Sequence, residues 1–236
     1  MSTRCGVLLV HGAWYTGRAW DGVAAGLRAR GVPVAVAELH RGSLAADIGA
    51  AERALDEVGG HGPAVVCGHS YGGAVISGMA PGRIRHLVYL AAIVLDAGET
   101  SMAALGGASD LMAALAGDPH GTTTIKPGSA GELFYAHLGP AARERWTALL
   151  VPQQMAAGYQ QAASAAWRHV PSTYIVCDDD HIIAPEIQRR MAKRTGHAVS
   201  WHSDHGAFAS RQDETVALLE ALAIAPEPAR PCAGDR

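Results

Sequence analysis

Charge is scarce in this chain: Asp, Glu, Lys and Arg make up 17% of its 236 residues, and the formal net charge is −3. No basic stripe suited to a nucleic-acid backbone or an anionic membrane surface stands out, so the expected partner is a small molecule. Long apolar runs are missing as well. Residues 1–10 hold one Arg and a short apolar run, too brief to cross a bilayer, and they lack the ordered charged, apolar and small-residue regions of a secretion signal. The expectation is a cytoplasmic chain that touches no membrane. Cysteine is sparse: Cys5, Cys67, Cys177 and Cys232 occur with no CxxC spacing, the first three in or beside apolar runs, which predicts reduced, buried thiols. The twelve histidines invite a metal reading, but there is no HExxH and no Cys/His ligand set. The run Asp178, Asp179, Asp180, His181 lacks the Gly and Glu of a calcium loop. No metal is expected. No internal repeat is present, and the oligomeric state is not written in the sequence.

Apolar residues, at 49%, are plentiful enough for one sizeable core, and α/β domains of this length commonly stay single. Short β-rich runs alternate with longer Ala-rich stretches of helical spacing, the signature of a parallel sheet covered by helices. Strands are expected at 5–10, 32–37, 64–67, 86–91, 173–177 and 198–201. Helices are expected at 20–30, 44–58, 72–80, 185–195 and 213–222, with Gly31, Gly59, Gly60 and Gly82 as stops. The fold class is therefore α/β, a doubly wound and mainly parallel sheet. Its core takes residues 1–95 and 168–224. Residues 96–167, with helical pieces at 102–115 and 141–150 and no convincing strand run, read as a helical cap insertion. A tail over 225–236, with Pro226, Pro228 and Pro231, should fray.

One local pattern carries chemistry. Gly68, His69, Ser70, Tyr71, Gly72 and Gly73 form a GxSxG directly after an apolar strand and directly before a helical run. An isolated match of that kind marks an ordinary tight turn about as often as a site. In the strand-turn-helix setting it predicts a nucleophile elbow, where glycines flank a serine held in a strained turn above the sheet. A serine hydroxyl needs a base to take its proton and an acid to orient that base. His205, between the last strand and the last helix, is the expected base, with His202 as its rival nearer the strand. The acid is one of Asp178, Asp179 and Asp180 after the strand at 173–177, with Asp96 as a fourth candidate, and spacing alone does not choose among them. Charge on the attacked oxygen calls for backbone donors. The Tyr71 amide is one, and the Ala13 amide, in the loop His11-Gly12-Ala13-Trp14 after the first strand, is the expected second.

Together these segments resemble the α/β-hydrolase family, in particular the compact branch of plant methylesterases, hydroxynitrile lyases and bacterial esterase-like relatives. The resemblance spans nearly the whole chain and is carried by VLLVHGAW at 7–14, GHSYGG at 68–73, STYIVCDDDHIIAPE at 172–186 and SDHGAFASR at 203–211. It implies that the acid is Asp180, which is followed by the apolar pair Ile182 and Ile183 and by Pro185. It likewise implies His205 as the histidine of an SxHxxF segment, formed by Ser203, His205 and Phe208. Segment 96–167 would then resemble the family's helical cap, with Trp14, Tyr71, Ile182 and Ile183 as pocket linings. Two departures matter. The plant hydroxynitrile lyases carry a lysine after the catalytic histidine and a threonine after the first-strand histidine, where this chain has Gly206 and Gly12, which argues against cyanide-handling chemistry. Ser70 in place of a carboxylate argues against epoxide opening and halide displacement. The expected activity is hydrolysis of a carboxylic ester, lactone or thioester through an acyl-serine intermediate without a cofactor. The alternatives are a lyase or a carbon-carbon-bond-cleaving or rearranging tailoring enzyme on the same scaffold, and a ligand-binding protein with a vestigial site.

Overall fold

A computed structural model describes residues 4–58, 62–106, 109–126 and 128–225. In chain order the elements are β1 (Val7–Val10), α1 (Asp21–Ala29), β2 (Val34–Ala37), α2 (Leu44–Val58), β3 (Ala64–His69), α3 (Tyr71–Ser77) and β4 (Ile84–Leu90). Then come α4 (Ser101–Leu105), α5 (Ser109–Ala114), β5 (Leu115–Gly117), β6 (Thr122–Ile125), α6 (Ala130–Tyr135), α7 (Pro140–Thr147) and β7 (Gln153–Gln154). The chain closes with β8 (Ser172–Cys177), α8 (Pro185–Ala192), β9 (His197–Trp201), α9 (Ala207–Ser210) and α10 (Gln212–Ile224).

Six strands form one sheet in the order β2-β1-β3-β4-β8-β9, every neighbouring pair parallel. The inner strands β1, β3 and β8 are buried along their whole length, because helices flank the sheet; β1 and the first four residues of β3 accordingly read as apolar runs rather than as alternation, while β8 opens on the buried Ser172 and Thr173. Edge strand β9 is mostly exposed. The chain runs outward from β1 to β2 and then returns to the other side of β1, so the strand order reverses between β1 and β3. A crevice opens there at the carboxyl ends of the strands. Val10 at the end of β1 pairs with Gly68 of β3, which brings the loop after β1 beside the turn after β3. Cys5, Cys67 and Cys177 are buried and free, as expected, while Cys232 lies outside the described residues.

Helix α2 has the bounds expected from its sequence, and Gly31 closes α1 with φ +73°. Gly82 does not stop α3, which ends at Ser77 with Gly78 as its cap; Gly82 instead sits in the 3-10 turn Pro81–Arg83 that leads into β4. Gly59, Gly60 and the tail from Pro226 onward lie outside the described residues. The segment between β4 and β8 corrects the expectation of a purely helical insertion, since it also holds a three-stranded antiparallel sheet, β5-β6-β7. These strands are two to four residues long, and the amide pair of β7 shows no alternation. Their pairing is set by tertiary contact rather than by local pattern. The helix expected at 102–115 is two helices, α4 and α5, because Gly106 takes φ +63° at the end of α4. Among the described residues no helix is long and apolar enough to cross a membrane, and no group of three or more His, Cys, Asp or Glu could hold a metal ion.

Candidate active site

Between β3 and α3 the chain turns within one residue. Ser70 takes φ +53° and ψ −123°, a conformation that costs a non-glycine residue about 1–3 kcal/mol and persists only where its surroundings enforce it. The enforcement is visible: the Ser70 carbonyl accepts from the amides of Gly73 and Ile93, both at 3.0 Å, and the Ser70 amide donates to Leu90. Glycine is obligatory at the flanks. A Cβ at Gly68 would stand 2.6 Å from the Gly72 carbonyl oxygen, and one at Gly72 would stand 2.4 Å from that of Val10.

The loop after β1 lies directly against this turn, since a Cβ at Gly12 would sit 2.8 Å from the Ser70 Cβ. His11 sets that loop. Its Nε2 accepts from the Leu39 amide at 3.1 Å, which assigns the proton to Nδ1, and Nδ1 donates to the Gly12 carbonyl at 2.9 Å. Burial lowers the His11 pKa to about 3, so the ring is neutral and the assignment holds. The Gly12 carbonyl and the Ala13 N–H share one peptide plane, so this bond orients the Ala13 donor. Among the described residues neither the Ala13 nor the Tyr71 amide meets a protein acceptor.

On the far side of the crevice, the turn after β8 buries Asp180 and the loop after β9 buries His205. His205 Nδ1 donates to Asp180 Oδ2 at 2.7 Å, which leaves Nε2 as the ring nitrogen not engaged by the carboxylate. That Nε2 is buried and has no hydrogen-bond partner among the described residues, so no direct bond to Ser70 is formed in this state. Asp180 accepts three further bonds: Oδ1 takes the amides of Ile182 at 2.7 Å and Ile183 at 2.9 Å, and Oδ2 takes Gln188 Nε2 at 2.8 Å. Gln188, on α8, is locked in turn, because its Oε1 accepts the Cys177 amide and its Nε2 also donates to the Ile183 carbonyl.

The rival residues lie elsewhere. His202 is exposed and packs on His137. Asp179 accepts from His137 Nε2, Asp178 pairs with Arg189, and Asp96 pairs with Arg168. The turn at Ser70 and the loop that carries His205 are tied by a residue to which the sequence reading gave no role: His69 Nε2 donates to the His205 carbonyl at 2.9 Å, and the two rings lie 4.6 Å apart. Burial pushes the His69 pKa well below the ordinary histidine range, so it too is neutral. Gly206, where the lyases carry lysine, has no room for a side chain. A Cβ there would meet Tyr135 Cδ1 at 2.6 Å and the Phe134 carbonyl at 2.8 Å.

Gln188 and His11 were also missed. A polar residue in the buried face shared with Met191 and Ala192 was the available signal for Gln188. A cleft with about 680 Å³ of empty space, counting its open mouth, leads from Ser70 to the surface. Ala13, Trp14, Tyr71, Ile182 and Ile183, all singled out from sequence, line it, and among the described residues no charged side chain does. The opposite wall comes from the segment between β4 and β8, here called the cap, with Met102, Leu105 and Gln153 among its residues. The Tyr71 ring is fixed by its hydroxyl, which donates to the buried Asp47 at 2.9 Å.

Comparison with known proteins agrees with this architecture. A curated relative, the alpha/beta hydrolase nvfD of Aspergillus novofumigatus, is 26% identical over 169 residues, 66% of this chain and 68% of that protein. A carbendazim hydrolyzing esterase of a Nocardioides species is 37% identical over 111 residues, 42% of this chain and 46% of that enzyme. Among solved structures, a pyrethroid hydrolase from Sphingobium faniae superposes with a TM-score of 0.80 at 21% identity, covering 94% of this chain and 98% of that one. Polyneuridine aldehyde esterase gives 0.78 at 17% identity, covering 92% and 98%. At such identities these likenesses speak for the fold alone. The sequence profile of the alpha/beta hydrolase family matches residues 7–218, nearly the whole chain, and the chain belongs to that family.

Proposed function

We propose that this chain is a serine hydrolase of neutral, largely apolar carboxylic esters, lactones or thioesters, acting through an acyl-serine intermediate. The observation that carries the reading is the strained Ser70 turn in a cleft lined by no charged side chain among the described residues, tied through His69 to the loop of a buried imidazole whose Nδ1 is held by a carboxylate. Ser70 Oγ adds to the substrate carbonyl carbon as its proton passes to His205 Nε2. The amides of Ala13 and Tyr71 take the negative oxygen. His205 then protonates the leaving alcohol or thiol, which departs and leaves Ser70 acylated. A water gives its proton to His205 and adds to the acyl carbon, and collapse frees the acid and returns the proton to Ser70 Oγ. Asp180 stabilises the imidazolium that forms twice in this cycle. None of these steps requires a metal or an organic cofactor.

The substrate class follows from the cleft wall. With no charged group lining it, a carboxylate or ammonium on the substrate would be desolvated without compensation. Three methionines, Met102, Met112 and Met155, give the wall an adaptable apolar surface. Ser101 adds one buried hydroxyl with no partner among the described residues, available to a single polar atom of a substrate. The relatives named above as a carbendazim hydrolyzing esterase and a pyrethroid hydrolase are, by name, hydrolytic enzymes, which agrees with a hydrolytic reading.

The test is steady-state release of free acid from neutral aryl esters and from matched esters bearing a terminal carboxylate, together with stoichiometric labelling by a fluorophosphonate. Turnover and labelling should both vanish in Ser70→Ala, and the charged esters should be poor substrates. Turnover that persists in Ser70→Ala, or bond cleavage without uptake of water, would transfer the chain to the lyase and rearrangement class.

A further inference from the structure

The cap is bonded to the loop that carries the Ala13 donor, and it holds that loop at a strained residue. Trp14 takes φ +60°, a left-handed conformation that is a genuine outlier for a bulky side chain, and it is 4% exposed. Its amide N–H donates to Gln153 Oε1 at 3.3 Å, and its carbonyl accepts from the Val151 amide at 2.8 Å. Its ring Nε1 donates to Thr123 Oγ1 at 3.1 Å. Thr123 Oγ1 in turn donates to the Gln153 carbonyl at 3.2 Å, so β6 and β7 form one unit behind these contacts. Both peptide groups that flank the Trp14 Cα are thus held by the cap, while the preceding plane, which carries the Ala13 N–H, is held by His11 from the sheet side.

We propose that Thr123 and Gln153 are positioning residues for the oxyanion site: the small cap sheet holds Trp14 in its strained turn and thereby aims the Ala13 amide at the developing negative oxygen. This rests on Ser70 and Ala13 acting as described under the proposed function. The physical logic is strain balanced by bonds. Left without its cap partners, Trp14 relaxes toward φ below zero, the Ala13–Trp14 peptide rotates, and the donor one residue earlier loses its aim. A donor that must meet an oxyanion within hydrogen-bond reach tolerates little such movement. The sheet that the sequence reading missed then belongs to the catalytic geometry as well as to the wall of the cleft.

The experiment compares Thr123→Val, which keeps the shape and removes the hydroxyl, with Thr123→Ser, which keeps the hydroxyl, and with Gln153→Leu. Each is assayed on a neutral aryl ester and titrated with two inhibitors. An aryl trifluoromethyl ketone adds Ser70 Oγ to its carbonyl carbon and places an oxyanion on the donors. The matching secondary alcohol fills the cleft and makes no oxyanion. Thr123→Val should lose about tenfold or more in kcat with KM within twofold, and should bind the ketone more weakly by a similar factor; Gln153→Leu, which also alters the cleft wall, should lose at least as much in kcat and weaken the ketone more than the alcohol. Affinity for the alcohol should hold, and Thr123→Ser should recover most of the loss. The proposal is overturned if kcat stays within twofold, if KM alone rises, or if ketone and alcohol weaken together, any of which would mean that these bonds only shape the cleft. Should Gln153→Leu fail to fold, as judged by its melting curve, the conservative threonine pair decides. Ser70→Ala runs beside them: persistent turnover there defeats the underlying serine reading, whereas its loss with unchanged Thr123→Val kinetics defeats the cap alone.

Discussion

Four donors converge on the carboxylate of Asp180, and that number makes Asp180→Asn a sharp perturbation. Oδ1 faces two main-chain amides, and Oδ2 faces Gln188 Nε2 and His205 Nδ1. An asparagine offers one oxygen and one NH2, so one side must set donor against donor. If the NH2 faces Ile182 and Ile183, both conflicts are with backbone and neither can be relieved. If it faces the other way, Gln188 cannot turn, because its Oε1 is already engaged by the Cys177 amide. His205 can respond, however, by moving its proton from Nδ1 to Nε2. The second orientation therefore wins, and it leaves one buried N–H conflict at a cost of about 1–3 kcal/mol in stability. It also leaves an Nε2–H that cannot accept the proton of Ser70. For a Ser-His-Asp site the wrong tautomer has a precedent of about ten-thousand-fold in kcat, or about 5.5 kcal/mol of barrier. The assay is kcat for a neutral aryl ester across pH 6 to 9, with a urea melt to show that the variant is folded. Asp179→Asn, which alters the half-buried contact with His137 and the longer one with His181, serves as control and should stay within a fewfold of the parent. A folded Asp180→Asn enzyme within tenfold of the parent would refute the assignment, and a larger loss in Asp179→Asn would move the acid one residue earlier.

Other substitutions probe separate parts of the site. Gly12→Ala pushes a methyl to within 2.8 Å of the Ser70 Cβ, and should cost about a hundredfold in kcat by displacing nucleophile or donor, with the circular dichroism spectrum unchanged; activity near that of the parent would mean the loop is not where it is placed here. His205→Ala should abolish hydrolysis, whereas His69→Gln, which retains a donor for the His205 carbonyl, should lose far less, and the reverse ranking would exchange their roles. Acid should destabilise the fold early. His11 and His69 are buried with pKa values depressed from 6.5, the former to about 3, so the unfolded chain binds protons that the folded one refuses. Their contribution is complete above pH 6.5 and is lost as pH falls below it, at about 1.4 kcal/mol per pH unit for each, or about 3 kcal/mol together by pH 5.5. Urea midpoints at pH 7.5, 6.5 and 5.5 measure this, and a flat series would contradict the neutral assignment of both rings.

β1 and most of β3 were legible because burial on both faces writes them as apolar runs, and the turn at Ser70 was legible because its glycines follow from contacts of under 3 Å with neighbouring backbone. What could not be read depends on distant partners. β7 is two glutamines that become a strand only when Thr122 and Thr123 arrive to pair with them. Gln188 is an ordinary helix residue until the turn after β8 folds over it. Spacing alone did not choose among Asp178, Asp179 and Asp180, and it was the family resemblance that pointed to Asp180. Their sequence contexts are nearly identical, and what separates them is the direction of each side chain as the turn leaves β8, with the first two on surface partners and the third inward on His205.

Two buried imidazoles stand side by side in the crevice, and chemistry could in principle use either. Each has a buried ring nitrogen without a partner among the described residues: Nδ1 of His69 and Nε2 of His205. They differ in what lies behind the opposite nitrogen. His69 donates to a backbone carbonyl, a dipole that offers a proton on the far nitrogen little compensation, and burial opposes its charging throughout. His205 donates to a carboxylate that is itself held by three further donors, so the carboxylate cannot drift toward the ring to take its proton and remains a fixed negative charge. A base that must become a cation for the lifetime of a transition state needs a carboxylate behind it, and of these two rings the one at 205 has it, which is why the proposed mechanism gives the proton to His205. The other ring does what a neutral imidazole does well: it holds the loop of its neighbour against the turn that presents Ser70.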